Sequence, residues 1–231
     1  METNQNPTDE AKKTSQSNYL SFDQQIGKMK LAFDNAMLPS ILPVMETVGY
    51  TKERILDIQS NVTKLEKLQQ DQTKEYAEQF SETEKLNTQR TQIDEIYIKH
   101  RNLCKVLLKT NTLARAALKL DQNKSRAYDA WFQEVKNFYS QLIATPDLLL
   151  IVKTIGITTD IVNKQIIDIN KLQSVKESQR KELAEAQQAT DARDKAFDEL
   201  YPLYSEYIKY ARILLADDQA LEAIGVKVKA K

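Results

Sequence analysis

A cysteine and a histidine one helical turn apart are the residues of this chain best suited to nucleophilic chemistry. The sequence has one of each, Cys104 and His100, and side chains four positions apart on a helix contact one another. Thiol hydrolases of the papain type, however, draw nucleophile and base from separated segments, and a third group orients the base. We therefore interpret His100 as a residue of an interface or core edge, and Cys104 as a small buried hydrophobe.

Metal and nucleotide sites need patterns that this sequence lacks. The di-metal sites of ferritin-like bundles use Glu-x-x-His pairs on two helices, whereas the single histidine follows Glu95 at a longer spacing. The four glycines are scattered and form neither a P-loop nor a G-x-G-x-x-G or G-x-S-x-G motif. We therefore predict no catalytic, cofactor-binding or metal-binding residues, no cofactor, and a protein that is not an enzyme.

Tyrosines recur every third residue near the end of the chain, at Tyr201, Tyr204, Tyr207 and Tyr210. The pattern suggests a ladder for ligand stacking or a stripe that faces a partner. A strict three-residue step drifts around an α-helix, however, so these side chains cannot all lie on one face. We therefore predict that they pack in the core and at its edge.

The composition is typical of long helices. Only four Gly and five Pro occur beside 29% charged and 41% apolar residues, so we expect an all-α fold. The 33 basic and 33 acidic residues cancel, which gives no reason to expect nucleic acid or an anionic membrane as a partner. The most apolar run, residues 148–152, is too short to span a bilayer and is predicted to be buried. A single cysteine and the absence of a leader pattern are consistent with the cytoplasm.

A joint between a short apolar segment and a long polar stretch occurs twice in the chain. The matched positions are Pro39 with Pro146, Leu42 with Leu149, Thr47 with Thr154, Gly49 with Gly156 and Thr51 with Thr158. Each glycine suits the left-handed position after a helix, and each following threonine suits the N-cap of the next helix. The ungapped register, 107 positions in every case, predicts a tandem duplication.

Each long stretch keeps one heptad phase. The two rows of the first stretch are Ile55, Val62, Gln69, Tyr76, Thr83, Arg90, Tyr97, Cys104 and Ile58, Leu65, Gln72, Gln79, Leu86, Ile93, His100, Leu107; those of the second are Val162, Ile169, Lys176, Leu183, Thr190, Phe197, Tyr204, Ala211 and Gln165, Leu172, Gln179, Ala186, Arg193, Leu200, Tyr207, Leu214. Apolar ends in a common phase favour one continuous helix in each copy. The polar middle permits an alternative, in which Thr83 and Thr190 are N-caps at hairpin tips.

The chain is predicted to consist of a disordered tail (residues 1–19), helical repeat 1 (20–120), helical repeat 2 (121–222) and a basic tail (223–231) that frays. Amphipathic helices at residues 22–37 and 126–143 cover the ends, the first opening with a capping box at Ser21. Pro202 is predicted to kink the second long helix.

The predicted fold is a tandem duplication of a short-helix and long-helix unit that forms an elongated antiparallel helical bundle. The alternative is two compact three-helix bundles with hairpins near Thr83 and Thr190. The expected function is that of a non-enzymatic scaffold or protein-interaction protein, which binds an unknown protein or self-associates through its long helices, without nucleic acid or membrane. Two other functions stay open: binding of a small apolar ligand near Trp131 and Phe138, and membrane activity through residues 148–152.

Overall fold

The computed structural model describes residues 20–228, and they form an all-α fold, as predicted. No strand occurs within that range. The predicted tail at residues 1–19 and the end of the basic tail, residues 229–231, lie outside it. The helices are α1 (Phe22–Asp34), α2 (Leu42–Glu46), α3 (Lys52–Leu107), α4 (Thr112–Ala117), α5 (Tyr128–Ala144), α6 (Pro146–Lys153), α7 (Thr159–Leu214) and α8 (Asp218–Ala223), and a 3-10 turn (Asn35–Met37) follows α1.

Helix α1 begins at the predicted capping box. The Ser21 hydroxyl accepts a hydrogen bond from the Gln24 backbone N–H at 3.2 Å, and the Gln24 side chain accepts one from the Ser21 N–H at 2.9 Å. The helix ends at Asp34, and the 3-10 turn stops before Pro39, because residues that precede a proline disfavour helical geometry.

The two joints have the same geometry. Gly49 and Gly156 adopt left-handed φ angles of 86° and 85°, which a residue with a Cβ rarely takes. The Thr51 hydroxyl accepts from the Arg54 N–H at 3.3 Å, and the Thr158 hydroxyl accepts from the Ile161 N–H at 3.4 Å. Both glycines therefore end a helix and both threonines cap the next one, as the sequence predicts.

The long helices α3 and α7 contain 56 residues each and run without interruption through Thr83 and Thr190. The predicted alternative with hairpins at these residues is therefore wrong. The Thr83 hydroxyl donates to the Gln79 carbonyl, and the Thr190 hydroxyl donates to the Ala186 carbonyl, each at 2.9 Å. A threonine that bonds back to the carbonyl four residues earlier stays within a helix and does not cap a new one. Helix α7 also contains Pro202.

The chain divides into two compact units that do not coincide with the predicted repeats. Within the described residues, unit 1 comprises residues 20–69 and 194–228, and unit 2 comprises Gln70–Arg193. Unit 1 therefore contains α1, the joint at Gly49 and the first part of α3, together with the last part of α7. Unit 2 contains α5, the joint at Gly156 and the first part of α7, together with the last part of α3.

In unit 1, the first part of α3 packs antiparallel to the last part of α7 beneath α1. Arg54 pairs with Glu206 at 3.9 Å, and the Phe33 ring lies 5.0 Å from the Tyr207 ring. The basic tail was predicted to fray, and this is wrong for its first residues. Ile224 and Val226, which follow α8, are buried among apolar side chains of unit 1.

In unit 2, α3 and α7 are again antiparallel. The Gln179 amide donates to the Thr83 hydroxyl at 3.4 Å, and farther along α3 Ile93 shares a groove with Asp168, which lies earlier in α7. Helix α5 lies along the second half of α3 and runs parallel to it. The buried residues of this core include Ile93, Tyr97, Cys104, Trp131, Val135, Phe138, Leu142, Leu148, Val152, Ile157, Val162, Ile169 and Leu172.

Candidate interaction surface

His100 and Cys104 are both buried in unit 2. The Nδ1 atom of His100 lies 3.0 Å from the Tyr139 hydroxyl of α5, and burial, followed by the charge of Lys99, lowers the pKa of the imidazole. Burial raises the pKa of the Cys104 thiol to about 12, so the sulfur carries its proton at neutral pH. A buried thiol that keeps its proton is a poor nucleophile. The imidazole of His100 pairs with the hydroxyl group of Tyr139.

Polar side chains of α3 hold α5 and the segment before it. The carboxylate of Asp94 accepts from the Trp131 indole N–H at 2.7 Å and from the Lys124 ammonium group at 2.5 Å. The Tyr97 hydroxyl donates to Glu134 at 2.7 Å. These bonds satisfy the polar atoms of a tightly packed region and set the position at which α5 begins.

Arg101 anchors the connection between α4 and α5. Its guanidinium group donates to the carbonyls of Lys119 and Leu120, at 3.4 and 3.3 Å, and to that of Gln122. Neither Asp94 nor Arg101 is identified by the sequence pattern. The only available signal is a charged residue near a buried heptad row, and that signal does not reveal which distant segment the charge meets.

The four recurring tyrosines belong to unit 1 and point in different directions, as the helical drift predicts. Tyr207 is buried against Phe33, Tyr204 is half-buried, and Tyr201 and Tyr210 are exposed. They do not form a continuous ladder.

The apolar run at residues 148–152 lies in α6, and only part of it is buried. Leu148 and Val152 enter the core of unit 2, whereas Leu150 and Ile151 are exposed. Burial of the whole run was predicted and is wrong for these two residues, because a short surface helix buries one face only. Among residues 20–228, no helix combines the length and the apolar character that crossing a bilayer requires.

Trp131 and Phe138, the residues considered for an apolar ligand, are packed within the core of unit 2. A groove of about 480 Å³ between α3 and α7 is lined by amide and charged side chains together with two isoleucines. Its lining residues are Gln89, Gln92, Ile93, Ile96, Lys164, Asp168 and Lys171.

Three carboxylates come close together where the two long helices pair. Oxygen atoms of Glu75, Glu182 and Glu185 lie within 4.8 Å of one another, and all three side chains are partly exposed. They could offer oxygen ligands to a cation. Lysines already provide positive charge there, since Lys74 lies 3.5 Å from Glu75 and Lys181 lies 3.3 Å from Glu185.

Helix α5 covers only part of the long helices of unit 2. It begins at Tyr128, whose ring lies 5.6 Å from the Arg90 guanidinium of α3 and 5.2 Å from the Lys176 ammonium of α7. Because α5 continues from there towards the end of α3, it does not extend over residues 70–89 of α3 and 177–193 of α7, and no other helix among residues 20–228 is described over them. We call these two segments the open stretch.

Three large apolar side chains are exposed on the open stretch. Tyr76, Phe80 and Leu183 are 61%, 66% and 50% exposed. Tyr76 belongs to a heptad row whose members at both ends of α3 are fully or almost fully buried, namely Ile55, Val62, Tyr97 and Cys104. The row that a third helix covers elsewhere therefore presents an aromatic ring to solvent here.

These three side chains share one face. Tyr76 and Phe80 are four positions apart on α3, and Leu183 occupies the position of α7 that corresponds to Tyr76. Two antiparallel helices are related by a two-fold axis perpendicular to the plane that contains them, so corresponding positions lie on the same side of that plane. The close approach of the Glu75 carboxylate to those of Glu182 and Glu185 places Tyr76 and Leu183 at nearly the same level. We call this group the open patch.

No family model matches the chain, and no similar protein was found among curated sequences or solved structures. Inference about function therefore rests on the residues themselves.

Proposed function

We propose that this protein is a non-enzymatic helical interaction protein, and that the open patch binds an amphipathic helix. The observation that carries this proposal is the exposure of Tyr76, Phe80 and Leu183 on the open stretch. Contiguous apolar patches on a protein surface often mark interaction sites.

The heptad pattern indicates the kind of partner. At either end of the long helices a third helix packs over the row that contains Tyr76, through α1 in unit 1 and α5 in unit 2. A partner helix with apolar residues at i, i+3, i+4 and i+7 would occupy the same position over the open stretch. Each large side chain that it buries would contribute roughly 1.5–3 kcal/mol before the costs of association.

The residues beside the patch favour close approach. Ala77 lies next to Tyr76, and Ala184 lies next to Leu183. Both are exposed, and a small side chain at such a position lets another helix backbone come near. Thr73 continues the stripe of α3 and Gln187 that of α7 with neutral side chains, and Arg180 adds one positive charge three positions before Leu183. A mainly apolar contact with a polar edge is the usual composition of a protein interface.

Site-specific photocrosslinking in the native host tests this proposal. A photoreactive phenylalanine analogue at position 80 should give a discrete adduct with one polypeptide, and mass spectrometry should map the attachment to an amphipathic helix. The matched control places the same analogue at Val106, which is exposed on the same helix beyond the open stretch. The control position should give no such adduct. Equal labelling at both positions, or no polypeptide adduct at position 80, would contradict the proposal.

A further inference from the structure

Three cationic side chains lie where the open stretch meets the first turn of α5. The Arg90 guanidinium of α3 lies 5.6 Å from the centre of the Tyr128 ring, and the Lys176 ammonium of α7 lies 5.2 Å from it. Burial raises the pKa of the Tyr128 hydroxyl, and the positive charges of Arg90 and Arg180 oppose that rise, so Arg180 of α7 is also close. We call Arg90, Lys176 and Arg180 the cationic edge.

The cationic edge lacks carboxylate partners. Among residues 20–228, none of its three side chains forms an ion pair. Arg90 instead donates to the Arg126 carbonyl at 3.0 Å, and Lys176 donates to the Gln179 amide oxygen at 3.1 Å. The lysines of the open stretch, in contrast, each lie within 3.5 Å of a glutamate carboxylate, namely Lys74, Lys85 and Lys181.

Carboxylates in the neighbourhood do not neutralise this charge by contact. Asp129, an exposed residue in the first turn of α5, is the carboxylate whose charge acts on Tyr128. Glu84 and Glu177 occupy the neighbouring heptad position of α3 and α7, and in the described part of the chain neither pairs with the cationic edge. Positive charge is therefore left for a partner to meet.

The cationic edge continues the face that carries the open patch. Arg90 belongs to the heptad row of Tyr76, and Lys176 belongs to that of Leu183. Residues of one row lie on the same side of a helix. At a rise of about 1.5 Å per residue, Arg180 and Lys176 lie about 4.5 and 10 Å beyond Leu183 along α7. A helix that covers the open patch therefore reaches the cationic edge within two turns.

We propose that the occupant of the open patch is an acidic amphipathic helix. Its apolar residues cover Tyr76, Phe80 and Leu183, and its carboxylates, one to two turns farther on, contact the cationic edge. This inference rests on the proposed function and specifies the charge of the partner. Arginine binds carboxylates through paired hydrogen bonds, and Arg180 is exposed, so its side chain is free to meet them. Charge pairs at the border of a contact select the partner and orient it.

Two designed peptides test the proposal against the purified full chain. Both are roughly 18 residues long, or five helical turns, and carry leucine at i, i+3, i+4 and i+7. They differ only at the polar positions of the first and last turns, which hold glutamate in one peptide and lysine in the other, so that either orientation brings this charge to the cationic edge. Fluorescence anisotropy should give a dissociation constant for the glutamate peptide at least about tenfold below that for the lysine peptide. Added salt should reduce the difference, because it screens exposed charges.

Arg180→Glu and Lys171→Glu separate contact at the cationic edge from a change in net charge. Both residues are exposed on α7, and both variants alter the net charge equally, but Lys171 lines the groove beside Ile93 and belongs to neither heptad row. Arg180→Glu should weaken binding of the glutamate peptide by about tenfold, and Lys171→Glu by less than about twofold. Binding of neither peptide, equal affinity for the two, tighter binding of the lysine peptide, or equal effects of the two variants would overturn the inference.

The photocrosslinking experiment distinguishes failure of this inference from failure of the proposed function. If the helix attached at position 80 has no excess of acidic residues, and the purified chain does not prefer the glutamate peptide, the acidic partner is excluded and the interaction function stands. If no polypeptide is attached at position 80, both are excluded.

Discussion

Within unit 2, the second half of α3 lies beneath α5, and the preceding residues 70–89 lie outside its reach. Tyr97 and Tyr76 are tyrosines of the same heptad row, yet Tyr97 is buried and Tyr76 is mostly exposed. The difference arises from the presence of a third helix, since the long helices themselves continue unchanged. An aromatic residue in the covered part is explained by folding, whereas an aromatic residue in the open stretch is not.

The same comparison explains the polar middle of the heptad rows. A pair of helices buries less of each side chain than three helices do, and Gln72, Thr83, Gln179 and Thr190 are all half-buried. Such residues tolerate partial exposure and satisfy their own polar groups, as Gln179 and Thr83 do with each other. Tyr76, Phe80 and Leu183 depart from this pattern, and so they carry the functional argument.

The largest effect should follow from removing the main contact under α5. Trp131→Ala should lower the free energy of unfolding of unit 2 by about 3–5 kcal/mol, because it leaves a cavity and removes the indole N–H from Asp94. Denaturant unfolding followed by circular dichroism measures this change. Leu150→Ala, at an exposed site on α6, is the control and should change the value by less than about 0.5 kcal/mol. An equally small effect of Trp131→Ala would show that α5 does not form the core described here.

A smaller effect of opposite sign is expected at Gln165. This side chain is 2% exposed in unit 2, and its carbonyl oxygen has no hydrogen-bond partner among residues 20–228. Its counterpart in unit 1 is the buried Ile58. Gln165→Ile should therefore raise the free energy of unfolding by about 1 kcal/mol, since it removes a buried amide oxygen that has no hydrogen-bond partner among residues 20–228.

The reciprocal change is the control for Gln165. Ile58→Gln places an amide in the apolar core of unit 1 and should destabilise the protein. Chemical denaturation of both variants gives the two signs. Destabilisation by Gln165→Ile comparable to that by Ile58→Gln would mean that the glutamine makes a stabilising contact.

A still smaller effect should appear as a pH dependence confined to unit 2. Burial lowers the pKa of His100 below its ordinary value of 6.5, and the group that faces its ring is the neutral Tyr139 hydroxyl. The unfolded chain then binds a proton more readily than the folded chain does. Stability should therefore fall as pH decreases from 6.5 to the lowered pKa of the folded protein.

His100→Gln isolates this contribution. The variant should lose less stability than the wild-type protein between about pH 7.5 and pH 5.5. Parallel denaturant titrations at the two pH values give the difference. The position of unit 1 that corresponds to His100 is occupied by Tyr207, so that unit provides no equivalent group. Identical pH profiles for variant and wild type would contradict a buried neutral imidazole.

Local signals in the sequence predicted much of the fold. The capping box at Ser21 and the joints at Gly49 and Gly156 involve residues within a few positions of one another, and their chemistry determines their geometry. The continuity of the long helices was harder to predict, because a threonine followed by an acidic residue resembles an N-cap. At Thr83 and Thr190 the hydroxyl bonds back within the helix, a choice that the side chain alone does not reveal.

The candidate site could be predicted only in part. The heptad rows identify Tyr76 and Leu183 as members of a row that is buried elsewhere, but they do not show where a third helix stops. The start of α5 over Arg90 depends on contacts between residues distant in sequence, such as Asp94 with Trp131. Exposure of the open patch follows from those contacts, and so it emerges only from the folded structure.

The most direct test compares stability and partner binding in one double variant, Tyr76→Gln with Phe80→Gln. Glutamine is the natural counterpart of Phe80 at Gln187 and favours helices, so the open stretch should keep its structure. In the purified chain, the free energy of unfolding should stay within about 0.5 kcal/mol of the wild-type value. In a pull-down from the native host, the variant should no longer retain the polypeptide that the wild-type chain binds through the open patch. A loss of more than about 2 kcal/mol in the purified variant would show that the two rings stabilise the fold itself, and would contradict their assignment as an interaction surface.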